Sequence, residues 1–449
     1  MVRDLLNKVF QNNNFLSLLG NASAALLGFI SFGVLARSLD KGDFGNWVLF
    51  ITIATLFELL RTGFVQTPLI KFSSGTEESK KNVVHGTSWL FGTIVTFLLG
   101  AVTLLVWALF GSFIDNQGVI FFLQWFWLLN IVTLPYNLAT WVLQVEMRFN
   151  RILYIRLMVL SVFLVLLGVN AYYEYGLYFV LYSYLTAHGL TSVICLALGW
   201  TNISSVRFFS KSLLKELFHF GKFSMGTMLG ANLLRSSDTL LIGAFLGPSA
   251  VAIYSIPLRL MEVMEIPLRS FMATALPTLS AHINNNDRKG FRKYFEKSAG
   301  MLTVSFIPLG LACVLFAEPM VWLLGGEQYL ESATILRVFG LFAFIMPLDK
   351  YSGVSLDVLN KPVLNFWKVV VMLSVNIIGD VLAIMFLGKL WAVAAVSFLT
   401  FFSGLVFGVI FLKKLQEFSI RDAVVTGFNE CKSLPAKLIS KFKTVPDGS

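Results

Sequence analysis

The sequence predicts an all-α integral membrane protein of about twelve transmembrane helices, set as two six-helix bundles facing a central cleft. Composition is the first ground: 56% of the 449 residues are hydrophobic and 13% charged, against about 45–50% apolar and about 25% charged in soluble domains. The second ground is the recurrence of long apolar runs along almost the whole chain. The third is the gathering of Lys and Arg into alternate connections between those runs. The 43 Phe, 10 Trp and 12 Tyr are more bulk than a soluble core of this length would bury, and lipid and its interfaces accept them.

A spanning helix needs about 20 mostly apolar residues, because each adds about 1.5 Å against a hydrocarbon core about 30 Å thick. Twelve segments meet this, near 15–36, 44–70, 84–111, 119–142, 152–173, 176–199, 217–246, 250–280, 296–317, 332–357, 362–387 and 390–412. The first follows Arg3, Lys8 and Gln11-Asn12-Asn13-Asn14 and is long enough to span, so it is expected to be retained rather than cleaved as a signal peptide.

With the N-terminus inside, the inner connections hold Lys71, Lys80, Lys81, Arg148, Arg151, Arg207, Lys211, Lys215, Arg288, Lys289, Arg292, Lys293 and Lys361, and the outer ones only Arg37, Lys41 and Lys389. This asymmetry places both termini on the cytoplasmic side of the cell (inner) membrane. The expected division is a first lobe over 1–205, a second over 206–415 and a basic cytoplasmic tail over 416–449. In the tail, Lys432, Lys437, Lys441 and Lys443 alternate with Leu434, Leu438, Ile439 and Phe442. Two readings of it stay open: an amphipathic segment on an anionic inner leaflet, or a disordered basic tail.

Several function classes are disfavoured. The net charge of +10 is spread over short loops rather than gathered beside exposed aromatics, so nucleic acid is not an expected partner. Cys195, Cys313 and Cys431 are far apart and without metal-type spacing, which indicates neither a disulfide framework nor a zinc site. His85, His188, His219 and His282 are scattered and mostly near span ends, where interface placement is the expectation. No Gly-x-x-x-x-Gly-Lys-Ser/Thr loop is present, so no ATP motor and no cofactor is expected. The outer connections are too short to house a catalytic domain.

The ionisable residues inside the spans are the candidate functional set, because a charge at mid-bilayer costs about 2.5–3.5 kcal/mol on insertion scales. Arg156, Lys222 and Lys368 stand within about two turns of an inner end and are expected to snorkel out. The main embedded cations are then Arg61, Arg235, Arg259, Arg269, Arg337 and Lys350. The embedded acids are Glu58, Asp238, Glu262, Glu265, Asp349, Asp357 and Asp380. In the eighth span Arg259, Glu262, Glu265 and Arg269 share an arc of about 120° at about 100° per residue. The seventh span carries Asn232, Arg235 and Asp238 at three-residue steps. Glu58 with Arg61, Arg235 with Asp238, Arg259 with Glu262, and Glu265 with Arg269 are also spaced to neutralise each other along one helix, so local pairing and substrate binding both stay open. Arg337 and Lys350 have no such partner and are the better substrate candidates. Pro257, Pro267 and Pro277 recur along the eighth span, where bends would suit gating, although spans also tolerate proline without function.

Two stretches resemble each other. Leu39-Asp40-Lys41-Gly42-Asp43-Phe44-Gly45-Asn46-Trp47 leads to Pro68, and Leu246-Gly247-Pro248-Ser249-Ala250-Val251-Ala252-Ile253-Tyr254 leads to Pro277, over 29 and 31 residues. Both turns join an outward-going to an inward-going span, so the halves run in the same direction and are related by an axis along the membrane normal.

At Ala36-Arg37-Ser38-Leu39, Asp43-Phe44-Gly45, Gly63 to Leu69, Asp238 to Gly247, Ile253-Tyr254 and Ala275 to Ser280, the chain resembles the Wzx-type polysaccharide flippases of the multidrug/oligosaccharidyl-lipid/polysaccharide exporter superfamily. The resemblance implies movement of a polyprenyl-diphosphate-linked oligosaccharide from the inner to the outer leaflet, for O-antigen, capsule or a related polymer. Polymerase or glycosyltransferase machinery would be its partners. A diphosphate stripped of water needs cations, and Arg offers bidentate donors. Asp238, Glu262 and Asp349 are the expected coupling-ion sites. The alternatives are a cation-coupled multidrug exporter, disfavoured by the lack of an acid in residues 15–36, and a membrane glycosyltransferase or polymerase, disfavoured by the short outer loops.

Overall fold

A computed structural model describes residues 13–416 and 419–443; side chains are described from residue 23 to 433 except at 223, 227, 231, 273, 417 and 418. Arg3, Lys8 and the side chains from Leu434 to Phe442 named above lie outside this description, as does Lys443's. Among the described residues the secondary structure is entirely helical.

The first six predicted spans fall on α1 (Asn13–Ser38), α2 (Lys41–Arg61) continued by a π-turn (Thr62–Gln66) into α3 (Thr67–Ser73), α4 (Glu78–Phe110), α5 (Gln117–Val145), α6 (Phe149–Tyr173) and α7 (Leu177–Ala197). The next six fall on α8 (Lys211–Phe245), α9 (Pro248–Asn284), α10 (Arg288–Leu315), a bent pair and two long helices. After a short α11 (Ala317–Gly325), the bent pair is α12 (Ser332–Phe342) with α13 (Ile345–Val358). The last two are α14 (Pro362–Leu387) and α15 (Leu390–Leu415). A further helix, α16 (Ile420–Lys443), lies in the expected tail. Among the described residues, eight helices are long and apolar enough to cross a membrane, or nine with the bent pair taken as one.

Local chemistry sets the ends. Asp40 opens α2 by accepting from the Asp43 N–H at 2.9 Å, and Asn116 opens α5 by accepting from Val119 at 3.2 Å. These bonds satisfy donors that the first turn leaves unpaired. The 53° bend between α12 and α13 follows from Pro347, which has no N–H for the Ala343 carbonyl and whose ring crowds it; the Met346 N–H bonds that carbonyl instead, at 3.2 Å. Pro68 stands in the same relation to Phe64 inside the π-turn. The two repeat-like stretches therefore differ: the first passes through a π-turn before Pro68, whereas α9 continues as one helix through Pro257, Pro267 and Pro277.

The chain forms two compact units, Met1–Ala252 and Ile253–Ser449. In the first, α1 packs on α6, α4 on α5, and α5 on α2 and α7. The segment after α7 is pinned to α4: the Trp89 indole donates to the Thr201 carbonyl at 2.8 Å, Asn202 bonds His85 at 3.0 Å, and the Ser210 N–H donates to Thr87 at 3.1 Å. From that anchor α8 returns along α2 and the π-turn, where a Cβ on Gly63 would overlap the Met225 backbone. The seventh predicted segment is thus packed within the first unit of contacts.

In the second unit α14 packs on α15, α13 on α15, and α10 on α12 and α16. The α10–α16 contact is a glycine crossing, because a Cβ on Gly300 would strike the Ala423 carbonyl and one on Gly427 would strike Gly300 itself. Arg292 to Asp422 at 2.9 Å and Lys297 to Glu430 at 3.3 Å flank it. The first half of the expected tail is therefore an ordered helix bound to α10. Gly427→Leu should destabilise the second unit by about 1–3 kcal/mol through overpacking, and protease should then cut near Gln416 several-fold faster than in the wild type; an unchanged cleavage rate would show that the crossing does not hold α16.

Candidate functional site

Arg61 ends α2 just before the π-turn and is fully buried. All five donors of its guanidinium fork are taken. Nε donates to Glu58 Oε1 at 3.3 Å, one terminal nitrogen to Thr96 Oγ1 at 3.1 Å and the Asn130 carbonyl at 2.6 Å, and the other to Glu58 at 2.6 Å and Thr133 Oγ1 at 2.7 Å. Asn137 Nδ2 supports Glu58 Oε1 at 2.7 Å, and Asn130 Nδ2 reaches the Thr96 carbonyl at 3.0 Å. One guanidinium thus ties α2 to α4 and α5, and in this arrangement it has no donor left for a phosphate. The helical neighbour Glu58 was legible from spacing. Thr96, Asn130, Thr133 and Asn137 were not singled out, although Asn130, Thr133 and Asn137 at i, i+3 and i+7 form a readable polar stripe on an apolar helix.

Beside this network Tyr136 stacks on His188 with ring centroids 5.2 Å apart, and Tyr184 meets the same ring edge-on at 4.3 Å. His188 is buried within α7 and His85 within α4, while His219 is exposed. Further along the first unit, Arg235 is exposed and Asp238 buried on α8.

The second unit holds a different kind of pair. Lys368, expected to snorkel, is buried on α14 with its Nζ 2.7 Å from Asp349 Oδ1 and donating to the Asp349 carbonyl at 2.5 Å and Ser352 Oγ at 3.0 Å. The lysine and aspartate side chains are only 4% and 3% exposed. Space for the pair comes from α15: a Cβ on Gly404 would overlap Asp349 Oδ1, and one on Gly408 would overlap Ser352 Oγ. Asn376 and Asp380 are buried one turn apart farther along α14.

The other predicted residues separate. Arg259 pairs with Glu262 at 2.6 Å and Arg269 with Glu265 at 3.1 Å, both along α9. Arg337 on α12 reaches Glu318 on α11 at 2.6 Å, a partner that spacing within one helix could not reveal. Lys350 is exposed on α13 and has no ion pair among the described residues. Among the described residues no three His, Cys, Asp or Glu side chains are placed to hold a metal.

The Arg61 network makes a stability prediction. Removing one partner of a fully buried ion pair costs about 3–5 kcal/mol because the other charge stays behind; the Glu58 side chain is 30% exposed, so screening puts the loss here towards or below the lower figure. Arg61→Ala should therefore lower the thermal unfolding midpoint in detergent markedly. Arg61→Lys should restore only part of it, lacking the planar fork; an unchanged midpoint for Arg61→Ala would refute the pinning role.

Residues 34–334, well over half of the chain, match the family described as "Polysaccharide biosynthesis protein". The probable low-salt glycan biosynthesis flippase Agl15 of Haloferax volcanii is 23% identical over 206 residues, covering 46% of this chain and 44% of that protein. The chain thus aligns with less than half the length of that relative. Among solved structures, the lipid II flippase MurJ in an inward closed conformation superposes with a TM-score of 0.72 at 13% identity, over 97% of this chain and 94% of that one. An inward-facing multidrug resistance MATE family transporter of the MOP superfamily gives 0.70 at 13% identity, over 92% and 96%. At such identities the likeness is one of fold, and the fold is that of a multi-pass membrane protein. With the family match running from the end of α1 into α12, the chain belongs to the polysaccharide biosynthesis protein family.

Proposed function

We propose that this protein is a flippase that carries a polyprenyl-diphosphate-linked oligosaccharide from the inner to the outer leaflet for surface polysaccharide biosynthesis. It is a carrier rather than an enzyme. It works by alternating access between two six-helix lobes, with twelve spans, both termini in the cytoplasm and the lobes dividing as 1–205 and 206–415. Family membership and the match to a probable glycan biosynthesis flippase support this reading.

The observation that carries it is Lys350. It stands eight residues from the Val358 end of α13, about 12 Å along the helix, too deep for an easy reach to the interface. It is exposed and has no ion pair among the described residues. An ammonium at that depth needs an anion or a wet cleft, and a diphosphate head group is an anion whose lipid tail can remain in the bilayer. Arg235, Arg259, Arg269 and Arg337 are the further substrate cations of this reading. Arg61 is the sixth, and it would bind substrate only after releasing its present acceptors. Asp238, Glu262 and Asp349 are the coupling-ion candidates. A multidrug exporter would depend on acids and aromatics instead of cations.

Export in a host lacking its own polysaccharide flippase tests the reading. Lys350→Ala, Arg235→Ala and Arg337→Ala should each cut surface polysaccharide at least about tenfold at unchanged membrane abundance, a loss of about 1.4 kcal/mol or more in effective substrate stabilisation. Full complementation by all three variants would overturn it.

A further inference from the structure

The ion pairs of Arg61 and Lys368 differ in one chemical respect. A guanidinium cannot lose its proton within a protein, whereas an ammonium can. Arg61 is also saturated by acceptors from three helices, which makes it a fixed pin. Lys368 and Asp349 form a pair in which a single proton changes the net charge.

A polar lane reaches that pair from the exposed end of α13. Asp357 is exposed there and accepts from Asn365 Nδ2 at 2.8 Å. Asn365 lies one turn before Lys368 on α14. A Cβ on Gly353 would stand 2.8 Å from Asn365 Oδ1 and 3.3 Å from Lys368 Nζ, so both polar groups converge on the open side of one glycine. Beyond Lys368 come Ser352 and Asp349, and there the lane stops beneath Gly404 and Gly408 of α15.

We infer that Lys368 is the proton-carrying group of this transporter, and that Asp349 is its internal counter-ion rather than a site for an inorganic cation. The inference rests on the flippase reading and names its coupling ion. As ammonium and carboxylate the pair is neutral overall and clamps α13 to α14. When Nζ gives up its proton, which leaves towards the Asp357 carboxylate at the mouth of the lane, a neutral amine faces a carboxylate, the pair carries one net negative charge and the clamp loses its ionic attraction. A proton returning to Nζ restores it. The absence of side chains at Gly404 and Gly408 lets Asp349 and Ser352 lie directly against the α15 backbone, so α15 feels the clamp form and release.

The surrounding charges are few. On α13 they are Lys350, Asp357 and the phenol of Tyr351. On α14 the next is Asp380, more than three turns away. α15 presents its glycines to the pair, and α10 presents Tyr294 towards Tyr351. Lys350 and Asp357 act electrostatically on Lys368, so the pair senses both the substrate-facing cation and the mouth of the lane.

Lys368→Arg separates this role from a structural one, because arginine keeps the charge and the partner but not the exchangeable proton. A second variant, Lys368→Met with Asp349→Leu, removes both charges and leaves no buried ion unpaired. Flipping of a fluorescent polyprenyl-diphosphate oligosaccharide is measured in proteoliposomes with and without an imposed difference of about two pH units. The wild type should flip at least about fivefold faster with the gradient, a difference of about 1 kcal/mol. In both variants that ratio should fall to about one, whatever the absolute rate.

A ratio in Lys368→Arg equal to the wild type would overturn the inference, as would a wild type that flips without responding to the gradient. The latter would leave the flippase reading standing. A wild type that flips nothing under any gradient would sink the flippase reading instead. Proton uptake by the same proteoliposomes after a pH jump then still reads the pair: about one proton fewer per chain in Lys368→Arg supports the proton role, and equal uptake overturns it.

Discussion

Hydrocarbon offers a buried ion no solvent, so each embedded charge here must be answered by the protein itself, and the Arg61 guanidinium is where that demand organises the most structure. Its donors draw on α2, α4 and α5 together. The π-turn begins at the next residue, where Gly63 meets α8. The polar residues of α4 and α5 are placed by the need to satisfy one side chain. Lys368 meets the same demand more sparingly, with one carboxylate, one carbonyl and one hydroxyl. A saturated group fixes its surroundings, and a sparsely held one leaves room for exchange.

Helix positions were legible because the bilayer imposes a length and a composition on each span. All twelve predicted segments fall on helices, with limits shifted by up to eight residues. Charge pairs within one helix were legible too: Glu58 with Arg61, Arg259 with Glu262 and Glu265 with Arg269 sit at the spacing that a helix turn dictates. What sequence did not carry was contact between helices. Arg337 looked unpartnered because its acid, Glu318, lies nineteen residues earlier on another helix. Lys368 looked close enough to an end to reach water, since side chains lean towards the N-terminus of their helix; the glycines of α15 instead leave space for it to turn towards Asp349.

Breaks in the helices show the same boundary between local and tertiary causes. Five prolines in three spans read alike in sequence, yet Pro347 accompanies a 53° bend and Pro68 a π-turn, while α9 runs through three prolines. The ring removes one bond in every case. Whether the chain bends there is settled by what packs around the freed carbonyl, and that is not written locally. The tail was likewise undecided in sequence, because the Gly300–Gly427 crossing that orders α16 pairs residues more than a hundred positions apart.

The anchoring of residues 201–210 to α4 bears on how chains of this kind can be recombined. Sequence repetition marks the region near residue 205 as the natural seam, but a graft joined there would sever α8 from the α2 surface and the π-turn that it covers. The stretch that coheres by its contacts runs through Ala252 and takes in seven of the twelve predicted segments. An ancestral duplication of six would since have had its joint redrawn by packing, so that inheritance and mechanical cohesion no longer share a border.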